Sequence, residues 1–425
     1  MWELNPERKA MNKFTILFLA TILILLGCAA PEPPTATAND ISSTNVASEE
    51  YFTATPGFTE VPTTDDPGQF HVDEKCPTIE DGIPDGFSMK GTLVLSSSSS
   101  NVFMLTPFSG EMVQVEIPDI QLSPGSVSPD GKVLAYATGE WKKQLFYLMF
   151  SDNRNNILKS IAWDDDWYLI GGWINENQLA ILAYGQKLEL ISPYTDQRET
   201  ISTVEMGFPD FSNYNLSRPW VLFSPDMKKA VYSEFNEEIL LEVESKKKLF
   251  VIPRYGYELI EAAWSKDSST VAIAGQNSNF INDQDPSPVS HQEIHVLAQE
   301  GSEIQVTNFA DSYRSGTLIY HPSWSPDGSS VAFWMYDGSI DYPYYKLAVY
   351  HLDSSTATTY CLSRDMFRGI HNDWYAAPIW SPDSRQVLIE SHHGDTDSAV
   401  IVLDIPTNKA VKITEDSQPV GWMLP

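Results

Sequence analysis

His291, Glu293 and His295 stand at alternate positions in the segment His291-Gln-Glu-Ile-His295. On a β-strand such residues line one face, where two imidazoles and a carboxylate could share a metal ion. The same spacing fits a polar strand entrance beside a long loop. His392-His393-Gly-Asp395-Thr-Asp397 offers similar cation ligands, with a solvated loop as the competing reading. Ser265-Lys-Asp267-Ser-Ser-Thr270 has part of the spacing of an Asp-box. No Gly-x-Ser-x-Gly elbow, His-Glu-x-x-His pair, Cys-x-x-Cys pair or phosphate loop occurs in the 425 residues, so the common nucleophile, zinc and nucleotide chemistries have no signature here. No cofactor is expected.

Binding chemistry is denser. Long polar stretches interrupt the apolar runs, and aromatics alternate with acids through them. The stretches 309–316 and 336–345 supply Tyr313, Tyr336, Asp341, Tyr342 and Tyr344. The stretch 363–378 adds His371, Trp374 and Tyr375, and His392 follows. Rigidly held aromatics beside a few polar groups suit a protein, peptide or glycan ligand, and these nine residues are the candidate binding set. Packing of the loops against one another is the alternative use of the same aromatics. A carbohydrate-active enzyme, a lyase or glycosidase, is the second functional reading. It would need two carboxylates roughly 5–10 Å apart on that surface.

Residues so scattered need a scaffold, and the chain contains one. A bulky residue followed by Ser-Pro-Asp-Gly, or a worn copy of it, and then an apolar run recurs along the chain. SVSPDGKVLAY from Ser126, SWSPDGSSVAF from Ser323 and IWSPDSRQVLI from Ile379 are the clearest copies. GWINENQLAIL from Gly172, LFSPDMKKAVY from Leu222 and AWSKDSSTVAI from Ala263 are worn ones. The anchors Val127, Trp173, Phe223, Trp264, Trp324, Trp380 and Trp422 are spaced by 46, 50, 41, 60, 56 and 42 residues, the period of a propeller blade. Each period holds short runs rich in Val, Ile, Leu and Tyr bounded by turn residues, the signal of β-strands. Pro-Asp-Gly is itself a turn: Pro presets φ, Asp bonds nearby backbone, and Gly tolerates positive φ.

The repeat resembles the TolB-type, WD-repeat-like propeller family, whose units carry Trp-Ser-Pro-Asp-Gly, over about residues 88–425. The fold class expected is all-β: a propeller of seven four-stranded blades, with six, common in chains of this signature, as the alternative. Only three strands precede the first full copy, and Pro419–Pro425 has no blade of its own. The last strand is therefore expected to complete blade one and close the ring. The Ser-Pro-Asp-Gly turns then mark a plain end of the ring. The long connections of blades five to seven fall at the opposite end, the expected contact surface.

The remaining sequence speaks to location. Residues 14–26 are uniformly apolar but too few for a comfortable membrane span. They end at Leu25-Leu26-Gly27-Cys28, which resembles a bacterial lipobox and implies lipidation of Cys28. Residues 1–28 are read as a signal peptide with lipobox, 29–75 as a disordered linker and 76–425 as the propeller. Positions 29–74 contain no Lys or Arg and are dense in Thr, Pro, Ser and acids, a composition that cannot bury enough apolar surface to fold. Such a tether reaches roughly 35 Å as a coil and about 120 Å extended. Cys76 and Cys361 remain as a candidate disulfide or as two thiols. The formal charge of −30 argues against nucleic acid and anionic lipid surfaces as partners. The expectation is a monomer, bound to membrane only through its lipid, facing an envelope protein, peptide or glycan outside the cytoplasm.

Overall fold

A computed structural model describes residues 70–424 except 98–101, 107–110, 115–119, 122–124, 141–144, 164–167, 184–186, 210–220, 235–236, 254–260, 277–290, 299–301, 314–315, 338–344, 363–366, 369–376 and 394–396. Its strands form seven sheets. Blade six shows the plan. Thr317–Trp324, Ser330–Asp337, Tyr345–His351 and Thr356–Tyr360 pair antiparallel in chain order. The anchor Trp324 ends the first strand, and the Ser-Pro-Asp-Gly turn leads into the second. Blades three, four, five and seven repeat this order behind Trp173, Phe223, Trp264 and Trp380.

Blade one is assembled from both ends of the described chain. Ser417–Met423 pairs antiparallel with Thr92–Ser97, ahead of Val102–Thr106 and Glu111–Gln114. The closing strand is also fastened to blade two. The Leu424 amide donates to the Gly131 carbonyl at 2.8 Å, and Asn153 Nδ2 donates to the Leu424 carbonyl at 2.7 Å.

Side chains alternate across each strand, so every blade offers one apolar face to each neighbour. Seven buried clusters result, and each contains side chains from two successive blades. One holds Val94, Val420 and Met423 of blade one with Leu134 and Tyr136 of blade two. Another holds Leu93, Leu95 and Trp422 of blade one with Leu388 and Val400 of blade seven. Blade one thus packs on blades two and seven, which closes the ring at seven blades. Each fully buried Leu or Val contributes about 1.5–3 kcal/mol.

The anchors explain the spacing of the repeat. Trp173 Nε1 donates to the Ser126 carbonyl at 3.0 Å, Trp264 to Leu222 at 3.0 Å and Trp324 to Ala263 at 2.8 Å. Trp380 donates to Ser323 at 3.0 Å and Trp422 to Ile379 at 3.3 Å. Each acceptor is the residue just before an anchor in the inner strand of the preceding blade. Every indole therefore ties its blade to the one before it. Val127 and Phe223 have no N–H to donate. At the Val127 seam the facing residue is adapted to the side chain: a Cβ on Gly421 of the closing strand would stand 2.6 Å from Val127 Cγ2, so only Gly fits opposite it.

The turns are equally uniform. Ser325 Oγ donates to Asp327 Oδ1 at 2.6 Å and accepts the Ser330 amide at 2.9 Å, and Asp327 Oδ1 accepts the Ser329 amide at 3.0 Å. Ser128–Asp130, Ser224–Asp226, Ser265–Asp267 and Ser381–Asp383 make the same internal bond. The fourth turn position has φ between 60° and 73° in five blades, occupied by Gly131, Met227, Ser268, Gly328 and Ser384. Only Gly adopts that conformation without cost.

One boundary differs from the composition reading. Residues 71–75, read as part of the linker, form a parallel fifth strand on the outer edge of blade six, with His71 opposite Thr356 and Lys75 opposite Tyr360. Ile79–Asp81 does the same on blade seven. Phe70 and Val72 turn inward with the strand's period of two and pack on the cluster between blades five and six. Phe70 meets Phe309 edge-on at 5.3 Å. Cys76 and Cys361, with Cα atoms 4.7 Å apart, are joined as a disulfide beside this strand.

Candidate functional site

Strand direction places the Ser-Pro-Asp-Gly turns at one end of the ring and the long connections at the other. Polar groups gather at the latter end of blades five and six, where Gln292 and Glu261 of blade five find partners in blade six. Gln292 Oε1 accepts the Ile319 amide at 2.7 Å, and Thr317 Oγ1 donates to the Gln292 carbonyl at 3.0 Å. Glu293 is fully buried. Its carboxylate accepts Thr307 Oγ1 at 2.6 Å, the Phe309 amide at 2.9 Å and the Ala310 amide at 3.0 Å. Nearer the centre of the ring, Glu261 of blade five accepts the backbone amide of His321 in blade six and lies 3.4 Å from its Nδ1. His321 has φ 52°, at a break in the register of the first strand, so the carboxylate satisfies an amide that the ladder leaves out.

At the outer rim Lys346 is 7% exposed, 3.6 Å from Asp337 and 3.4 Å from Glu74 of the added strand. Its ammonium stands 5.3 Å from the centre of the Tyr313 ring. Burial pulls Lys346 down, but Tyr313, Glu74 and Asp337 outweigh it and hold the amine above the ordinary lysine range. Burial raises the Tyr313 phenol.

The candidate residues meet different fates in this frame. Tyr313 packs on the cluster between blades five and six beside Phe309. Tyr336 packs on the cluster between blades six and seven, 5.5 Å from Tyr345. They lie on opposite sides of blade six and do not form one surface. Glu293 is occupied by the backbone at 309–310, and His295 Nδ1 lies 2.7 Å from Glu303. The ligand atoms of His291, Glu293 and His295 do not gather as a metal would require. Among the described residues only Glu74, Cys76 and Cys361 bring three such groups together, and two of these are the disulfide. Cys28, Asp341, Tyr342, Tyr344, His371, Trp374 and Tyr375 lie outside the described residues, as does the side chain of His392. Sequence reasoning missed Glu261, Gln292, Thr317 and Lys346. Their one signal was polarity at strand starts, where a purely packing role calls for apolar residues.

The turn end carries a second feature. A groove of about 270 Å³ opens on blade three, floored by Leu190 and bordered by Asn177, Gln178, Ser192, Tyr194, Gln197 and Glu199.

No protein-family model matches the chain, and no curated protein matches it. Solved structures do. TolB from Acinetobacter baumannii shares 12% identity at a TM-score of 0.42, over 78% of this chain and 82% of that one. Dihydro-heme d1 dehydrogenase NirN shares 14% at 0.42, over 80% and 76%. The tricorn protease shares 14% at 0.41, over 78% of this chain but 36% of that one. Among the described residues no helix is long and apolar enough to cross a membrane. The order of its own sheets and the seven filled seams between them make this chain a β-propeller.

Proposed function

We propose that the protein is a membrane-tethered, extracytoplasmic propeller that binds a protein, peptide or glycan without catalysis, through the long connections of blades five to seven. The observation that carries this reading is the bracing beneath those connections. Gln292 and Glu261 link blade five to blade six at that end, Glu293 fixes the segment 307–310 that leads from one to the other, and such buried, satisfied networks rigidify a platform. A rigid base under aromatic-rich loops lets a ligand bind without a large ordering cost. The added strand and the disulfide support the tether. A linker lipidated at Cys28 would arrive at the flank of blades six and seven, leaving both ends of the ring accessible.

Replacement of Tyr342, Tyr344 and Trp374 together by Ala tests the contact surface. A protein or glycan captured from envelope extracts by the intact chain is expected to be lost with the triple variant, and unchanged capture refutes the assignment. The tether is tested by labelling cells with an alkynyl fatty acid: the label is expected on the intact chain and absent from Cys28→Ser, and an unlabelled intact chain refutes lipidation.

A further inference from the structure

Blade three departs furthest from the repeat turn. Asn175-Glu-Asn-Gln178 stands where other blades have Ser-Pro-Asp-Gly. Trp173 pairs with Leu179, whereas Trp324 pairs with Val331, so the loop is one residue shorter. The internal Ser–Asp bond is replaced by Asn175, whose Nδ2 lies 3.1 Å from Gln178 Oε1 and 3.3 Å from the Pro225 carbonyl of blade four. Asn177 is thereby released from holding the turn by its side chain. Across the blade, the turn after the third strand is pinned from blade two, where Lys159 Nζ donates to the carbonyls of Ser192, at 3.1 Å, and Thr195.

The groove lies between these two turns. The side chains of Asn177, Gln197 and Glu199 make no hydrogen bond to another described residue. Tyr194 is 53% exposed at the rim. Among the described residues no Lys, Arg or His lines the groove, and the ammonium of nearby Lys159 is spent on the Ser192 and Thr195 carbonyls, which disfavours a phosphate or carboxylate. One carboxylate without His or Cys is a poor metal set. What remains is three planar amides, a carboxylate and small hydroxyls over an apolar floor. Amides both donate and accept, and a carboxylate accepts at two oxygens. That set matches the adjacent hydroxyls of a sugar ring, with Leu190 and Tyr194 supplying apolar surface for its C–H face.

We infer that blade three carries a saccharide site for a neutral sugar unit, on the opposite end of the ring from the long connections. It is independent of the proposed contact surface there. An open groove of this kind should bind with a Kd on the order of 0.1–1 mM.

The test is calorimetric or saturation-transfer titration of the full chain with neutral oligosaccharides: cello-, xylo-, manno- and chito-oligomers. At least one is expected to bind. Asn177→Ala and Gln197→Ala, both exposed and with side chains unbonded to any other described residue, should each weaken it about tenfold. The Tyr342, Tyr344, Trp374 triple variant should bind as the intact chain does. Absence of saturable binding at about 10 mM sugar, or a response to peptides alone, overturns the inference. So does binding that survives both groove substitutions or is lost with the triple variant, since the latter would place the sugar at the other end.

Discussion

Removing one indole N–H at a time should loosen the ring at a single seam. Trp324 Nε1 donates to the Ala263 carbonyl at 2.8 Å, and Trp380 to the Ser323 carbonyl at 3.0 Å. Trp324 is 9% and Trp380 7% exposed. Loss of the donor removes a net hydrogen bond and leaves a desolvated carbonyl, together about 1–2 kcal/mol. Unfolding entropy is about 2.1 cal/mol/K per residue, or about 0.7 kcal/mol/K for roughly 350 ordered residues. The expected drop in Tm is therefore about 1.5–3 °C for each bond. Phe in place of Trp would also remove packing surface. The clean perturbation is β-(3-benzothienyl)alanine, which keeps the bicyclic shape and removes only the donor. The assay is far-UV circular dichroism on heating, comparing midpoints at one scan rate. Analogues at positions 324 and 380 that both melt with the intact chain would refute the ladder, and Trp would then recur for its volume alone. A single null result would refute that seam.

Other outcomes follow from the same geometry. Met227 holds φ 60° at a position where Gly131 and Gly328 sit; Met227→Gly should stabilise by about 1 kcal/mol and Gly328→Ala destabilise by a similar amount, read as opposite shifts in Tm. Cys76→Ser removes a cross-link between positions 285 apart. The chain-entropy ceiling of that loss is about 5.6 kcal/mol, and faster amide exchange is expected first in residues 71–75 and 356–360; unchanged exchange there would show that the added strand holds without it. Asp130, Asp226, Asp327 and Asp383 are pushed up by burial, but hydrogen bonds from the turn Ser and from turn amides help to hold each below the ordinary carboxylate range. Asp267 is lowered chiefly by the Ser269 amide. Depressed carboxyls stabilise fully above their unfolded value of about 3.9, and lose that contribution as pH falls through the folded values. Tm should thus be flat above about pH 5 and fall below about pH 4. Ser325→Ala should shrink the fall, and equal melting at pH 3 and pH 6 would refute the linkage.

The ring was legible because each blade must repeat one local solution. An anchor at the end of the first strand and a Ser–Asp turn after it are separated by fixed chain distances, so they survive in a linear reading. The closing strand was legible because Trp422 had an anchor's form and no blade of its own. Side-chain partnerships across blades were not. Gln292 reaches the Ile319 amide of the next blade, and Glu293, which alternates with His291 and His295, is held by residues 307–310 at its own blade's exit. Nothing in the local sequence says that those amides arrive there. Tyr313 and Tyr336 stand in two stretches of like composition, yet the alternation of strand 330–337 sends Tyr336 to one seam while Tyr313 goes to the other. The added strand was hidden by its acidic, Thr/Pro-rich surroundings. Phe70 and Val72 carried the signal, two apolar residues at period two in a segment otherwise unfit to fold.

Departures from the repeat therefore separate into two kinds, and the distinction is physical. At Val127 the departure is matched by its neighbour, since a Cβ on Gly421 would meet Val127 Cγ2 at 2.6 Å. At Met227 the turn keeps its Ser–Asp bond and its positive φ, so the change costs strain and alters nothing else. Blade three is different. Its turn is remade rather than worn: Trp173 still donates to blade two, Asn175 takes over the internal and inter-blade bonds, and the neighbouring turn is fixed by Lys159. The inter-blade bonds are maintained while, among the described residues, the side chains of Asn177, Gln197 and Glu199 at the groove have no hydrogen-bond partner. In a repeat whose polar turn groups are otherwise consumed internally, such a surplus is what selection for a ligand would leave behind.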